Sequence, residues 1–181
     1  MGRHLLSFLT LFIPLILVST ALSDDLMTAR VVAIADGDSF TVLTPTKEQV
    51  WIRLYGIDCP EIEQPFGVEA KQFTNEHCFG MTIQYRIMGI DVFDRTIAIA
   101  YLNDGSELNL ELLKAGLAWH LKSHSDRKDY SQADEEARRA GIGLWADPDP
   151  TPPWEWRREK RRFHKDKLKS RSNAKCGIIE G

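Results

Sequence analysis

The stretch Val50-Trp51-Ile52-Arg53-Leu54-Tyr55-Gly56-Ile57-Asp58-Cys59-Pro60-Glu61 alternates in side-chain character with a period of two and then turns acidic. A strand over Val50 to Ile57 puts Val50, Ile52 and Leu54 on one face and Trp51, Arg53 and Tyr55 on the other, because successive side chains leave a pleated backbone on opposite sides. The first face can join a core while Arg53 points away from it. Beyond the strand, Pro60 stiffens the chain between Asp58 and Glu61, so two carboxylates leave one short loop.

Working outward, β-branched runs over Thr28 to Ile34 and Ser39 to Leu43 flank Asp36-Gly37-Asp38, which reads as strand, turn and strand. Phe66, Ala70 and Phe73 follow helical spacing within Pro65 to Phe79, and Gly80 is placed to stop that helix. Strands over Thr82 to Met88 and Thr96 to Leu102 enclose a turn at Asp91 to Asp94. Two further helices are expected. One spans Glu107 to Ala115, with Leu108, Leu112 and Ala115 on one face, and the other spans Tyr130 to Ala140, with Ala133, Ala137 and Ala140. Five strands and three helices, with one helix between the third and fourth strands, make an α+β chain in the order of a five-stranded OB-fold β-barrel.

At 181 residues the chain suits one compact domain with some extra length. Arg3 and His4 precede an apolar run from Leu5 to Val18, and Ala21 and Ser23 stand at small-residue positions. Residues 1–23 therefore read as a secretory signal peptide, with a mature start near Asp24. An uncleaved anchor is the other reading, but the run is shorter than the roughly 20 apolar residues of a spanning helix. Residues 24–150 form the expected barrel domain, and residues 151–181 follow as a proline break and a basic tail. Secretion or a periplasmic location is expected, with no membrane span after cleavage.

The net charge of -3 hides an asymmetry. Trp154 to Lys175 carries ten Lys or Arg against three acids, a net of +7, whereas Asp24 to Pro153 carries twelve against twenty-two, a net of -10. The tail has the charge of a tether for a polyanion and is expected to hold it without joining any chemistry, with Trp154 and Trp156 as candidates to pack on the barrel. Of the three cysteines, Cys59, Cys78 and Cys176, two can bridge in an oxidising compartment, a Cys59–Cys78 link being one option, or all can be small buried residues. No Cys pair stands at zinc-ligand spacing to complete a site with His120 and His124, and no Ser or Cys motif accompanies the histidines.

Ala35-Asp36-Gly37-Asp38-Ser39-Phe40, Ile52 to Glu61, and the arginine opening Arg95-Thr96-Ile97-Ala98, in that order, resemble the staphylococcal nuclease (thermonuclease) family from about Thr28 to Trp156. The resemblance implies the OB-fold barrel and a calcium-dependent nuclease that cuts DNA, with RNA left open as a second substrate, to leave 3′-phosphate ends. By position, Asp38, Asp58 and the carbonyl of Cys59 are implied calcium ligands, Glu61 the general base and Arg53 and Arg95 the phosphate clamps. The residue types suit those tasks. Carboxylates hold hard cations, a carboxylate can take a proton from water, and guanidinium forks match phosphate oxygens.

Three departures from the family pattern matter. Cys59 stands where Thr is common, which a carbonyl ligand tolerates. Asp91-Val92-Phe93-Asp94-Arg95 replaces the common Asp-x-Tyr-Gly-Arg, so Asp91 and Asp94 become rival partners for Arg95. After Gly116-Leu117-Ala118 the family's tyrosines give way to Trp119, His120, Lys122 and His124, of which Trp119 reads first as a buried residue. Asp36 is expected to support the site through hydrogen bonds. A non-catalytic OB-fold nucleic-acid binder and a calcium-stabilised structural domain are the alternatives; no stable protein partner is implied.

Overall fold

The computed structural model describes residues 26–176, with side chains to residue 168. The reading of residues 1–23 as a signal peptide lies outside the described residues, and so does the side chain of Cys176. Five strands close into a barrel: β1 (Leu26–Ile34), β2 (Ser39–Leu43), β3 (Gln49–Leu54), β5 (Thr82–Ile90) and β6 (Thr96–Tyr101). Their order around the wall is β1-β2-β3-β6-β5, with β3 and β6 parallel and the other pairs antiparallel. Helix α1 (Gly67–Cys78) comes between the third and fourth barrel strands, as expected for an OB-fold.

The two-residue period of β3 is realised in its burial. Ile52 and Leu54 are inside the barrel with Val31, Phe40, Val42, Ile83 and Tyr85, while Trp51 is half exposed. Helices α1 and α2 (Leu108–Lys114) cover the barrel with Ala70, Cys78, Leu108, Leu112 and Leu113. Buried Asn109 joins α2 to the wall. Its amide donates to the Tyr55 carbonyl (2.9 Å) and its oxygen accepts the Ala100 N–H (3.1 Å), so a polar side chain inside the core keeps its partners.

The strand expected over Val50 to Ile57 is broken in two. Gly56 adopts a left-handed conformation (φ 71°), and a Cβ there would sit 2.8 Å from that of Ser125. The chain turns at Tyr55-Gly56, and β4 (Ile57–Asp58) leaves the barrel to pair with β7 (Trp119–His120), matching Asp58 with Trp119. Helix α3 (Lys128–Ala140) and a 3₁₀ turn at Gly143–Ala146 build a second small core of Trp119, Ala137, Leu144 and Trp145 beside this pair.

The basic tail after the proline break folds as a helix, α4 (Pro153–Cys176). Pro153 suits a first helical turn, where a missing N–H breaks no bond. Residues 158–168 are all exposed, in keeping with a segment that has no core of its own. Among the described residues, no helix is long and apolar enough to cross a membrane.

Candidate active site

The turn before β2 aims Asp38 inward. Asp36 accepts the Asp38 N–H (3.1 Å), and the Ala35 N–H bonds the Ser39 carbonyl (2.9 Å). Asp38 then faces the loop after β4, where its Oδ2 accepts the Cys59 N–H (2.5 Å) and its Oδ1 accepts the Ser39 hydroxyl (3.2 Å). Across the ladder Ser39 is paired with Arg53, whose guanidinium ion-pairs with Asp38 and donates to Asp58 Oδ1 (2.6 Å). Strand pairing thus brings together two carboxylates twenty residues apart, and both are almost wholly buried. Such charges remain in a protein interior only when paired.

These residues share a cavity of about 660 Å³ with Glu61, Trp51, Phe93 and Arg95. Glu61 is half exposed, and its N–H is held by the side chain of Gln64 (2.8 Å). The residues expected as ligands, base and phosphate clamps, Asp38, Arg53, Asp58, Cys59, Glu61 and Arg95, all line this one space. Asp36 lines it too, and takes the supporting hydrogen bond expected of it. Burial pushes the Asp36 carboxyl above its ordinary value, against the pull of Arg53.

Arg95 is held by Asp91, with its Nε and Nη2 both 2.7 Å from Asp91 Oδ2, so the rival pairing foreseen from the sequence is formed. Its guanidinium also lies 5.5 Å from the ring centre of Trp51 and 5.6 Å from that of Phe93. Asp94 takes the left-handed turn position (φ 63°), which Asp tolerates better than most residues.

The donor set suits a hard cation in part. Asp38 and Asp58 offer carboxylate oxygens, but no group of three or more His, Cys, Asp or Glu side chains is arranged to hold a metal among the described residues. The thiol of Cys59 is no donor, because it is buried beneath Gly37 and burial raises its pKa well above the ordinary range. Two carboxylates with a main-chain carbonyl leave several of the 6 to 8 oxygen positions of calcium to water and phosphate. The oxygens of Asp38 and Asp58 would fit a hard cation only with further oxygen ligands from outside these side chains.

Cys59 and Cys78 are free thiols, so the Cys59–Cys78 link offered as one option is not formed. Cys78 donates to the Thr74 carbonyl (3.0 Å) within α1 and stays in the core. Trp119 is buried, edge-on to Trp145 with ring centres 4.4 Å apart. Trp119, His120, Lys122 and His124 line an adjoining cavity of about 860 Å³ that also reaches Arg53 and Asp58.

One residue in contact with the site was not singled out in the sequence. Arg157 of α4 was expected to stand clear of the chemistry, yet its Nη2 donates to Asp58 Oδ2 (2.7 Å) and its Nη1 to Glu61 Oε1 (2.7 Å). Burial opposes its charge, but these hydrogen bonds outweigh burial and raise its pKa above the ordinary value. The available signal was Trp154-Glu155-Trp156-Arg157, two aromatics around a helix start just after a proline pair.

A family model described as staphylococcal nuclease homologue matches residues 51–147. An uncharacterized endonuclease of Haemophilus influenzae is 38% identical over 153 residues, covering 84% of this chain and 85% of that one. An uncharacterized endonuclease of Escherichia coli is 34% identical over 131 residues, covering 72% and 85%. The staphylococcal-like nuclease CAN1 of Arabidopsis thaliana is 37% identical over 110 residues; the match covers 61% of this chain but only 34% of that longer protein. With more than half of its length matched and the barrel and its acidic cavity in place, the chain belongs to the staphylococcal nuclease homologue family.

Proposed function

We propose that the protein is an exported, calcium-dependent nuclease that hydrolyses the phosphodiester bonds of DNA, and of RNA as a second substrate, leaving 3′-phosphate ends. One observation carries this reading: Asp38, Asp58, Glu61, Arg53 and Arg95, drawn from separate strands and loops, converge on a single cavity. Export rests on the sequence of residues 1–23 alone.

Asp38, Asp58 and the Cys59 carbonyl would hold the cation, which supplies charge neutralisation at the phosphate when bound. Glu61 stands at the solvent side of the cavity, where its carboxylate can orient a water and take its proton as the water attacks phosphorus. Arg53 presents its fork from the barrel wall, and Arg95 presents one from the turn after β5. Both guanidiniums become more useful as negative charge grows on the phosphoryl oxygens. Asp91 keeps Arg95 oriented toward the cavity until a phosphate competes for it.

The test is a digestion of plasmid, single-stranded DNA and RNA with calcium and then with excess chelator, followed by end-group analysis. Cleavage with calcium alone, leaving 3′-phosphates, is expected. Binding without cleavage in either condition would instead assign a non-catalytic nucleic-acid binder, and 5′-phosphate ends would reverse the proposed polarity.

A further inference from the structure

Helix α4 begins at the cavity and is fastened there. The Gln64 amide donates to the Thr151 carbonyl (3.0 Å), Pro153 is buried, and Trp154 meets Trp119 edge-on with ring centres 5.6 Å apart. One turn further on, Arg157 places a forked pair of hydrogen bonds on both oxygens of Asp58, at 2.7 and 3.3 Å, and a third on Glu61. Arg161, four residues later and so on the same helix face, lines the same cavity and has no ion-pair partner among the described residues.

This arrangement has a consequence for charge. Asp58 is buried and already receives Arg53, so Arg157 brings a second guanidinium to it. A divalent cation binding to an Asp58 oxygen must displace at least part of that fork. The contacts that fasten the base of α4 do not involve Asp58, and the Arg157 side chain, 38% exposed, borders the cavity. A released guanidinium therefore remains within the space that a phosphate would fill, and its planar fork suits two phosphate oxygens.

We propose that Arg157 is a third active-site guanidinium, which pairs with Asp58 and Glu61 before the cation binds and turns to the substrate phosphate once the cation takes Asp58. This rests on the reading of Asp58 as a cation ligand. The segment after the barrel thereby completes the site, and Arg161 extends its positive face toward the incoming strand.

The test uses the full chain with Arg157→Ala and Arg157→Lys, melting curves confirming that each is folded. Calcium binding is measured by titration calorimetry without nucleic acid, and turnover on single-stranded DNA is measured separately. With the competing fork gone, Arg157→Ala should bind calcium about tenfold more tightly, the equivalent of one charged hydrogen bond. Its turnover should fall about 10²-fold, as on loss of a donor to a charged transition state. Arg157→Lys, which keeps charge without the fork, should lie between. Calcium affinity and turnover within twofold of the native protein in both variants would overturn the proposal, and Arg157→Lys alone decides it if the alanine variant does not fold. If the native protein binds no calcium in calorimetry and its turnover is the same with calcium as with chelator, the reading of Asp58 fails and the proposal falls with it.

Discussion

The side-chain oxygen of Gln64 accepts the backbone N–H of Glu61 at 2.8 Å, while the amide of the same side chain donates to the Thr151 carbonyl at 3.0 Å. One buried residue thus sets the loop that presents Glu61 and moors the segment leading into α4. Replacing Gln64 with Ala strands a donor and an acceptor, a loss of about 1–3 kcal/mol. We predict a lower melting temperature and a turnover reduced by up to about 10²-fold, as expected for a misplaced catalytic group. Native turnover in Gln64→Ala would mean that Glu61 does not depend on this clamp.

Glu61→Gln keeps the shape of the side chain and removes its basicity. Turnover on DNA should drop by about 10² to 10⁴, with KM changed little, because proton transfer is lost and uniform binding is kept. A variant with raised KM and intact turnover would assign Glu61 to binding.

The approach of α1 to the same loop gives a steric test. A Cβ on Gly67 would collide with the Glu61 carbonyl, and the atom in the way is backbone, which cannot swing aside. Gly67→Ala is therefore expected to lower both stability and turnover, even though Ala is the better helix former. If instead the variant melts higher with full activity, the loop is less tightly seated on α1 than its geometry indicates.

His120 supplies the expected pH dependence of stability. Burial lowers its pKa, and this outweighs the opposing pull of Asp134, helped by repulsion from Lys122. Its imidazole contacts the Ser131 hydroxyl at 3.2 Å. A histidine with a lowered folded pKa binds its proton more readily in the unfolded chain, so acidification favours unfolding. Its effect is nil well above the ordinary value of about 6.5 and grows as pH falls below it. Melting curves between pH 8 and 5 should decline on the acid side, and His120→Gln should flatten the upper part of that decline. Identical slopes in the two proteins would discard the assignment.

The two buried thiols lead to a chemical prediction. Burial pushes Cys78 up to about 12 and Cys59 well above its ordinary range, so neither is a thiolate at neutral pH. Iodoacetamide should leave both unmodified in the folded protein and label both in denaturant, as read by peptide mass. Fast labelling of Cys59 without denaturant would show that its loop opens.

Much of the site was legible because it follows from local rules. The period of two in Val50 to Leu54 put Arg53 opposite the core residues, and the Asp-Gly-Asp turn put Asp38 at a strand end. Antiparallel pairing of β2 with β3 then aligned Ser39 with Arg53. Gly56 was visible as a residue, but that it breaks the strand depends on Ser125, sixty-nine positions away, pressing against it.

The sequence by itself determined the barrel strands, the three early helices and the residue types around the acidic cavity, because hydrophobic period, turn residues and charge are properties of neighbouring positions. The tertiary structure alone decided that β4 leaves the barrel to pair with β7, that Gln64 clasps Glu61, and that Arg157 reaches Asp58 across ninety-nine residues. Contacts of that kind depend on where packed helices and strands come to rest, and no local pattern encodes the distance between two distant side chains.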